Sequence, residues 1–241
     1  MRWLELGKRN FKQMWRDWLS LGVNVALPLA LLLVLQALES VDDFFAPTSL
    51  APGVVLFGFV MLTMTSAMAL AQDRESSLFA RLLTTPLHAT DFVWAYSIPY
   101  LAVAAIQAIL VFVAAAFLGA GIEGSAMWVV VIILMMACLY VGLGMLIGSV
   151  VPYKAVTGPW TVVLLLTIFG GTWVNLADIG GIFETVARWF PFAHALDAMR
   201  AVMIAGADGG DIATDLLWVI GYTAATVVAA IVVFRRRMID Q

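Results

Sequence analysis

Charged residues are scarce in this chain. Only 12% of its 241 residues are Asp, Glu, Lys or Arg, whereas 63% are hydrophobic and the mean hydropathy is +0.99. Soluble domains carry roughly 25% charged residues, which keep their surface hydrated. The composition therefore excludes a soluble globular protein. The net charge of −3 argues in addition against binding to nucleic acid or another polyanion.

Cysteine and the common catalytic motifs are also lacking. The single cysteine, Cys138, excludes an intrachain disulfide and a metal cluster built on cysteines. The sequence contains no G-x-S-x-G, no H-E-x-x-H and no G-x-x-x-x-G-K-[ST] motif, which mark serine hydrolases, zinc proteases and phosphate-binding loops. The two histidines, His88 and His194, cannot pair within one chain, because the membrane topology predicted below puts them on opposite sides of the membrane. We therefore expect that this chain is not an enzyme.

Six long apolar runs contain no charged residue. Each covers roughly 20 residues or more, enough to cross ~30 Å of hydrocarbon as a helix that rises about 1.5 Å per residue. An α-helix also satisfies its own backbone hydrogen bonds in lipid. The sequence therefore predicts an all-α polytopic membrane protein, a single domain over 1–241 with six transmembrane helices. The predicted spans are 19–38, 53–71, 92–118, 126–150, 158–177 and 216–234.

The Lys and Arg residues lie mainly on one side of the predicted membrane. Only Arg188 and Arg200, of the 13 basic residues, fall in the other set of connecting segments. Because cytoplasmic loops are enriched in Lys and Arg, both termini are predicted to be cytoplasmic. Ion-driven transporters usually keep a carboxylate, histidine or lysine at membrane depth, and these spans hold none. If the chain moves a solute uphill, a partner must therefore supply the energy. A motor-free channel or passive carrier, and a scaffold subunit, remain alternatives.

Two predicted cytoplasmic segments are amphipathic. The first, 1–18, predicts an interfacial helix, because apolar and charged residues recur at helical spacing on separate faces. The apolar face contains Leu4, Phe11, Trp15 and Trp18, and the charged face contains Glu5, Arg9, Lys12 and Arg16. This helix is a membrane anchor alone, or also a docking wall for a cytoplasmic subunit. The second segment, 75–86, predicts a short helix capped by Ser76 and ended by Pro86. Because it connects two spans, a push on it would move both of them.

The second segment also carries a family motif. Residues 73–86 read D-R-E-S-S-L-F-A-R-L-L-T-T-P, which resembles the pattern E-R-E-x-G-T-L-E-x-L-L-x-T-P of the ABC-2 type membrane permeases. The chain departs from that pattern at Asp73, Ser77 and Ala80. The match, together with the apolar stripe of the segment, predicts a set of ATPase-coupling residues. They are Arg74, Glu75, Leu78, Phe79, Leu82, Leu83, Thr85 and Pro86.

The resemblance implies the wider architecture of a transporter. Permeases of this family are six-span half-transporters, so we expect a homodimer, or a pair of homologous permeases, in the lipid bilayer of the plasma (inner) membrane. The motor would be a separate ATP-binding subunit. ATP and Mg²⁺ would be held by that subunit, and no cofactor is expected on this chain.

The segment 178–214, between the last two spans, is long and remains apolar. Its periodicity predicts two short helices, separated at Pro191, that dip into the outer leaflet. The ABC-2 resemblance likewise implies re-entrant helices at this point. We predict that they form an outer gate, with a passive lid as the alternative. The gate residues are Phe183, Trp189, Phe190, Pro191, His194 and Arg200.

Methionine and hydroxyl side chains occur together in the second and fifth spans. Methionine adapts to varied apolar ligands, and hydroxyl groups allow amphiphilic ones. We therefore predict a path for a small apolar or amphiphilic substrate such as a drug or lipid, with ordinary packing as the alternative. The path residues are Met61, Met64, Thr65, Met68, Trp160, Thr161 and Phe169.

Overall fold

The computed structural model describes residues 2–76 and 89–239 of the chain. Within these residues the regular structure is entirely helical, without a β-strand. Six helices are long and apolar enough to cross a membrane. The predicted all-α fold with six transmembrane helices is therefore confirmed. The position of the N-terminal helix at the membrane surface, and the re-entry of the outer helices, stay predictions.

The described residues form ten α-helices. Short 3-10 turns occur at Asp43–Phe45 and Tyr153–Ala155, and a π-helical turn, Ile168–Thr172, continues α6. The six candidate spans are α2, α3, α4, α5, α6 with its flanking turns, and α10. The helices are α1 Arg2–Arg16, α2 Trp18–Gln36, α3 Pro47–Arg74, α4 Ala89–Phe117, α5 Ala126–Val150, α6 Thr157–Thr167, α7 Leu176–Ile179, α8 Gly181–Ala187, α9 Pro191–Ala205 and α10 Ala213–Ile239.

Local sequence explains several helix boundaries. The Asp17 side chain caps α2 by accepting a hydrogen bond from the N–H of Ser20 at 3.3 Å. Pro47 begins α3, at a position where its missing N–H removes no helical hydrogen bond. The fifth span ends with the π-helical turn, five residues before the predicted boundary at 177. It ends there because Gly171 has a φ of +94°, a left-handed conformation that glycine tolerates best.

Helix α3 is the centre of the bundle, and it packs against α2, α4, α5 and α6. Its contact with α5 is especially close at two glycines of α5. A Cβ atom on Gly144 would lie 2.8 Å from the carbonyl oxygen of Thr63, and one on Gly148 would lie 2.6 Å from that of Ala67. Side chains at these positions would force the two helices apart. In contrast, α2 and α10 lie at the periphery, and few of their residues are fully buried.

Candidate functional site

Three consecutive charged residues end α3, and each contacts a different part of the bundle. Asp73, the first of them, is buried. Its carboxylate accepts a hydrogen bond from the Tyr96 hydroxyl of α4 at 2.6 Å. It also pairs with the Arg9 guanidinium of α1, with both carboxylate oxygens 3.1 Å from the same nitrogen. Asp73 therefore joins the N-terminal helix and α4 to the end of α3.

Arg74 and Glu75 extend this connection to α5 and to the turn that leads into α6. Arg74 donates to the carbonyl oxygens of Ser149 and Val151 at 2.5 Å and 2.9 Å. These carbonyls lie at the C-terminal end of α5, where the helix dipole favours a positive charge. Glu75 accepts a hydrogen bond from the N–H of Tyr153 at 2.7 Å. We call Asp73, Arg74 and Glu75 with these partners the cytoplasmic junction, after its predicted side of the membrane.

The cytoplasmic junction contains only part of the predicted coupling set. Arg74 and Glu75 join helices within the chain at this point. The rest of the coupling set lies outside the described residues, and its role stays a prediction. Those residues are Leu78, Phe79, Leu82, Leu83, Thr85 and Pro86.

A cleft of about 260 Å³ lies beside the cytoplasmic junction, between α1, α2, α3 and α4. Asp73 lies at one end of its α3 wall and Leu62 at the other, so the cleft reaches about 16 Å along that helix. Two predicted path residues, Thr65 and Met68, contribute to this wall. Met61, also predicted for the path, packs instead against the hydrophobic core of the bundle. The cleft is thus lined by two of the seven predicted path residues.

The other predicted path residues lie elsewhere in the bundle. Met64 is partly buried on α3. The Trp160 indole N–H donates to the carbonyl oxygen of Val60 at 2.9 Å, which ties α6 to α3. Thr161 is exposed and donates to a carbonyl of its own helix. Phe169 meets the ring of Phe183 on α8 edge to face, with centroids 5.4 Å apart.

The opposite end of the bundle is covered by α7, α8 and α9, which we call the outer cap after its predicted side. Arg200 of α9 fixes this cap to two spans. Its guanidinium donates to the carbonyl oxygens of Ser49 at the start of α3 and Gly171 at the end of α6, at 3.1 Å and 2.9 Å. It also lies 4.8 Å above the centre of the Phe44 ring. Burial lowers the pKa of Arg200 to about 10.

His194 connects the outer cap to α10. Its Nδ1 lies 2.6 Å from a carboxylate oxygen of Asp215, and its Nε2 lies 2.9 Å from the carbonyl oxygen of Arg188. Because a carbonyl oxygen and a carboxylate accept hydrogen bonds, this geometry fits an imidazolium that donates from both nitrogens. The hydrogen bond with Asp215 raises the pKa of His194 above its usual value. The ring also stacks on Trp218 of α10, with centroids 5.0 Å apart.

Three further contacts complete the outer cap. Arg188 pairs with Glu184 of α8 at 2.9 Å and with Asp197 of α9 at 3.1 Å. The Tyr222 hydroxyl of α10 donates to the carbonyl oxygen of Trp189 at 2.7 Å. The Trp189 ring itself is 68% exposed. Of the other predicted gate residues, Phe190 and Phe183 are partly buried, and Pro191 is a buried residue that begins α9.

Sequence reasoning did not identify the partners of these residues. Tyr96 lies in an apolar span without a recognisable motif, and no local pattern links it to Asp73. Asp215 and Trp218 begin the last span as an acidic and an aromatic residue, which is common at membrane interfaces. Their pairing with His194, about 20 residues earlier, depends on how α9 folds back on α10.

The sequence was also compared with known proteins and protein families. The comparison with curated proteins found no match. A family model described as ABC-2 type transporter matches residues 1–204, which include the cytoplasmic junction, the cleft and most of the outer cap. This chain therefore belongs to the ABC-2 type transporter family.

Proposed function

We propose that this chain is the permease subunit of an ATP-driven exporter for an apolar or amphiphilic substrate. Two such chains would enclose the translocation path, and a separate ABC ATPase would bind to the predicted cytoplasmic side of each. ATP and Mg²⁺ would be bound by that ATPase. The membership of the chain in the ABC-2 family supports an ABC transporter permease. The dimer, the ATPase subunit and the substrate class are our proposal.

The cytoplasmic junction is the observation that carries this proposal. The predicted coupling segment, 75–86, begins at Glu75, the last of the three consecutive charged residues at the end of α3. Asp73 joins α3 to α1 and α4, whereas Arg74 and Glu75 join it to the end of α5 and the start of the fifth span. A force applied to the coupling segment would therefore reach α3 and, through short polar contacts, also α1, α4, α5 and the start of the fifth span. This is the arrangement that an external motor requires.

The charge distribution supports an energy source outside the membrane. The apolar stretches of the six described spans lack the carboxylates and histidines with which ion-coupled transporters bind protons or cations. Within the described residues, the low burial of α2, α6 and α10 leaves apolar faces for lipid and for a second copy of the chain. The mixed polar and apolar walls of the cleft suit an amphiphile better than a polyanionic polymer.

The test is reconstitution with an ATPase encoded near this gene. The pair should copurify, and the purified complex in lipid nanodiscs should show ATPase activity that an amphiphilic substrate stimulates. Leu82→Asp should abolish this stimulation while leaving membrane insertion intact, because a charge would interrupt the apolar stripe that we expect to contact the motor. Ile122→Asp is a matched control, because Ile122 is an exposed apolar residue in the loop between α4 and α5.

Two results would contradict the proposal. Unchanged substrate stimulation of the ATPase in Leu82→Asp would show that 75–86 does not couple the permease to the motor. Substrate flux through the chain alone, without ATP, would identify a motor-free channel or carrier instead.

A further inference from the structure

Two buried asparagines beside the cleft have amide oxygens without a hydrogen-bond partner in the described residues. Asn10 of α1 and Asn24 of α2 line it, and each is more than nine-tenths buried. Their amide NH₂ groups already donate, to the carbonyl oxygens of Ala95 at 3.2 Å and Ser20 at 2.7 Å. Their amide oxygens have no hydrogen-bond partner. These oxygens have almost no accessible surface, so a ligand in the cleft would reach them only after the side chains rotate. A buried acceptor without a partner carries a desolvation cost, which a donor-bearing ligand would then remove.

The cleft also carries one negative charge that is not neutralised by an ion pair in the described residues. Among the residues that the structure describes, two carboxylates line it, Asp17 and Asp73, and no Lys or Arg does. The charge of Asp73 is balanced by Arg9 at 3.1 Å. Asp17 makes a single capping hydrogen bond, to the N–H of Ser20. A carboxylate can accept several hydrogen bonds, so Asp17 can still bind a donor. The site therefore favours a cation that donates hydrogen bonds and disfavours an anion.

Size and apolar surface define the rest of the ligand. A volume of about 260 Å³ is below the usual range for drug-sized ligands, which is roughly 300 to 1,000 Å³. It accommodates a compact head group and the first methylene groups of a chain. Met14, Leu21 and Met68 supply apolar wall for those methylenes. The alkyl chain can continue along α2, few of whose residues are fully buried.

We propose that this cleft binds the ammonium group of an alkylammonium amphiphile. The head group lies between the Asp17 carboxylate and the amide oxygens of Asn10 and Asn24, and the alkyl chain leaves toward the lipid. Such a head group could belong to a lipid such as phosphatidylethanolamine or to a free cationic amphiphile. The identification of the bound molecule as transported cargo rests on the proposed function, whereas binding itself does not.

A pair of probes with the same tail tests the proposal. The full chain is placed in phosphatidylcholine nanodiscs and titrated with dansyl-undecylammonium and with dansyl-undecanoate, with empty nanodiscs as the blank. The fluorescence should show saturable binding of the ammonium probe, and the carboxylate probe should bind at least about tenfold more weakly. Asp17→Asn should weaken binding of the ammonium probe about fivefold through the loss of one partly screened charge. Asparagine caps a helix as well as aspartate, so this variant should fold.

Two further variants define the site. Asn24→Leu removes one acceptor and fills part of the cleft, so it should also weaken binding of the ammonium probe. Asp43→Asn is the matched control, because Asp43 lies in the 3-10 turn at the other end of the bundle, and it should bind like the unmodified chain. Equal affinity for the two probes, or full affinity in both Asp17→Asn and Asn24→Leu, would overturn the proposal.

The source of the head group is decided by competition. Displacement of the probe when phosphatidylethanolamine is added to the nanodiscs would identify a lipid ligand, and retention would identify a free cationic amphiphile. The ATPase complex then separates the two proposals. Probe binding without stimulation of the ATPase would support the binding site and contradict its role in cargo selection. Stimulation of the ATPase by neutral amphiphiles, with no binding of the ammonium probe, would support the proposed function and contradict the proposed binding site.

Discussion

The contact between Asp73 and its two partners allows a quantitative prediction for the docking of α1. In Asp73→Asn the side chain keeps its size but loses its charge. A hydrogen bond to a charged group contributes about 1.5 to 3 kcal/mol, and a neutral one about 0.5 to 1.5 kcal/mol, so the buried bond from Tyr96 should weaken by about 1 kcal/mol. The Arg9 side chain is 36% exposed, and its ion pair should contribute only about 0.5 to 1 kcal/mol after screening.

Hydrogen exchange measures this effect directly. Opening of α1 breaks the ion pair but leaves the Tyr96 bond between α3 and α4 intact, so a loss of about 0.5 to 1 kcal/mol corresponds to an increase of roughly 2- to 5-fold in the local opening equilibrium. Amide exchange of α1 in lipid nanodiscs, followed by mass spectrometry, should accelerate by that factor. A double-mutant cycle of Asp73→Asn with Arg9→Gln should give a coupling energy of about 0.5 to 1 kcal/mol. The cycle with Tyr96→Phe, measured by thermal unfolding of the whole chain, should give about 1 kcal/mol, because that buried hydrogen bond joins α3 to α4 and not to α1.

A second ion pair on α1 supplies the control. Lys8 and Glu5 are 2.8 Å apart, with side chains that are 71% and 74% exposed. Glu5→Gln should leave the exchange of α1 unchanged, since exposed pairs contribute little to stability. Equal acceleration in Glu5→Gln and Asp73→Asn would refute the reasoning, because it would mean that general helix electrostatics, and not the contact with α3, holds α1 in place.

Three other predictions concern the outer cap and the α3–α5 contact. The folded pKa of His194 is raised above its unfolded value, so the stability from its contact with Asp215 should be complete below pH ~6.5 and lost as the pH rises through the folded pKa. The slope of Tm against pH in that window should therefore flatten in His194→Gln. Arg200→Lys should cost about 1 to 2 kcal/mol in thermal unfolding, because an ammonium group cannot reproduce the forked contact with two carbonyls. Gly148→Val should cost about 1 to 3 kcal/mol through steric overlap with α3, whereas Gly158→Ala, whose added methyl group meets open space in α6, should not lower Tm.

The spans could be predicted from sequence because each one is a continuous apolar run. Transfer of such a run into lipid is favourable whatever its neighbours are, so the signal is local. The boundary of the fifth span could not be predicted in this way. Residues 173–177 are as apolar as those before them, and the span ends because Gly171 takes a positive φ. Hydropathy does not report backbone conformation.

The candidate site was predictable only in part, because its contacts join distant segments. Arg9 belongs to the charged face of α1, and Asp73 to the segment that carries the family motif, yet the two residues are 64 positions apart. No periodicity connects them. The α3 residues of the cleft illustrate the same limit. Thr65 and Met68 line it, whereas Met61 packs against the core, and the difference depends on where α1 and α2 dock against α3.

Helix α3 links the two ends of the bundle, and its neighbours are attached to it unequally. The helix extends about 36 Å from Ser49, which accepts a hydrogen bond from Arg200, to Asp73 in the cytoplasmic junction. Along this length α5 is in close contact, through its glycines and a hydrogen bond from Thr63 to the carbonyl oxygen of Tyr140 at 2.9 Å. These two helices should therefore move together. On the other side of α3, the cleft separates it from parts of α1, α2 and α4. A conformational change driven through the cytoplasmic junction should accordingly alter the cleft before it alters the α3–α5 contact, so a ligand bound there would be sensitive to the state of the motor.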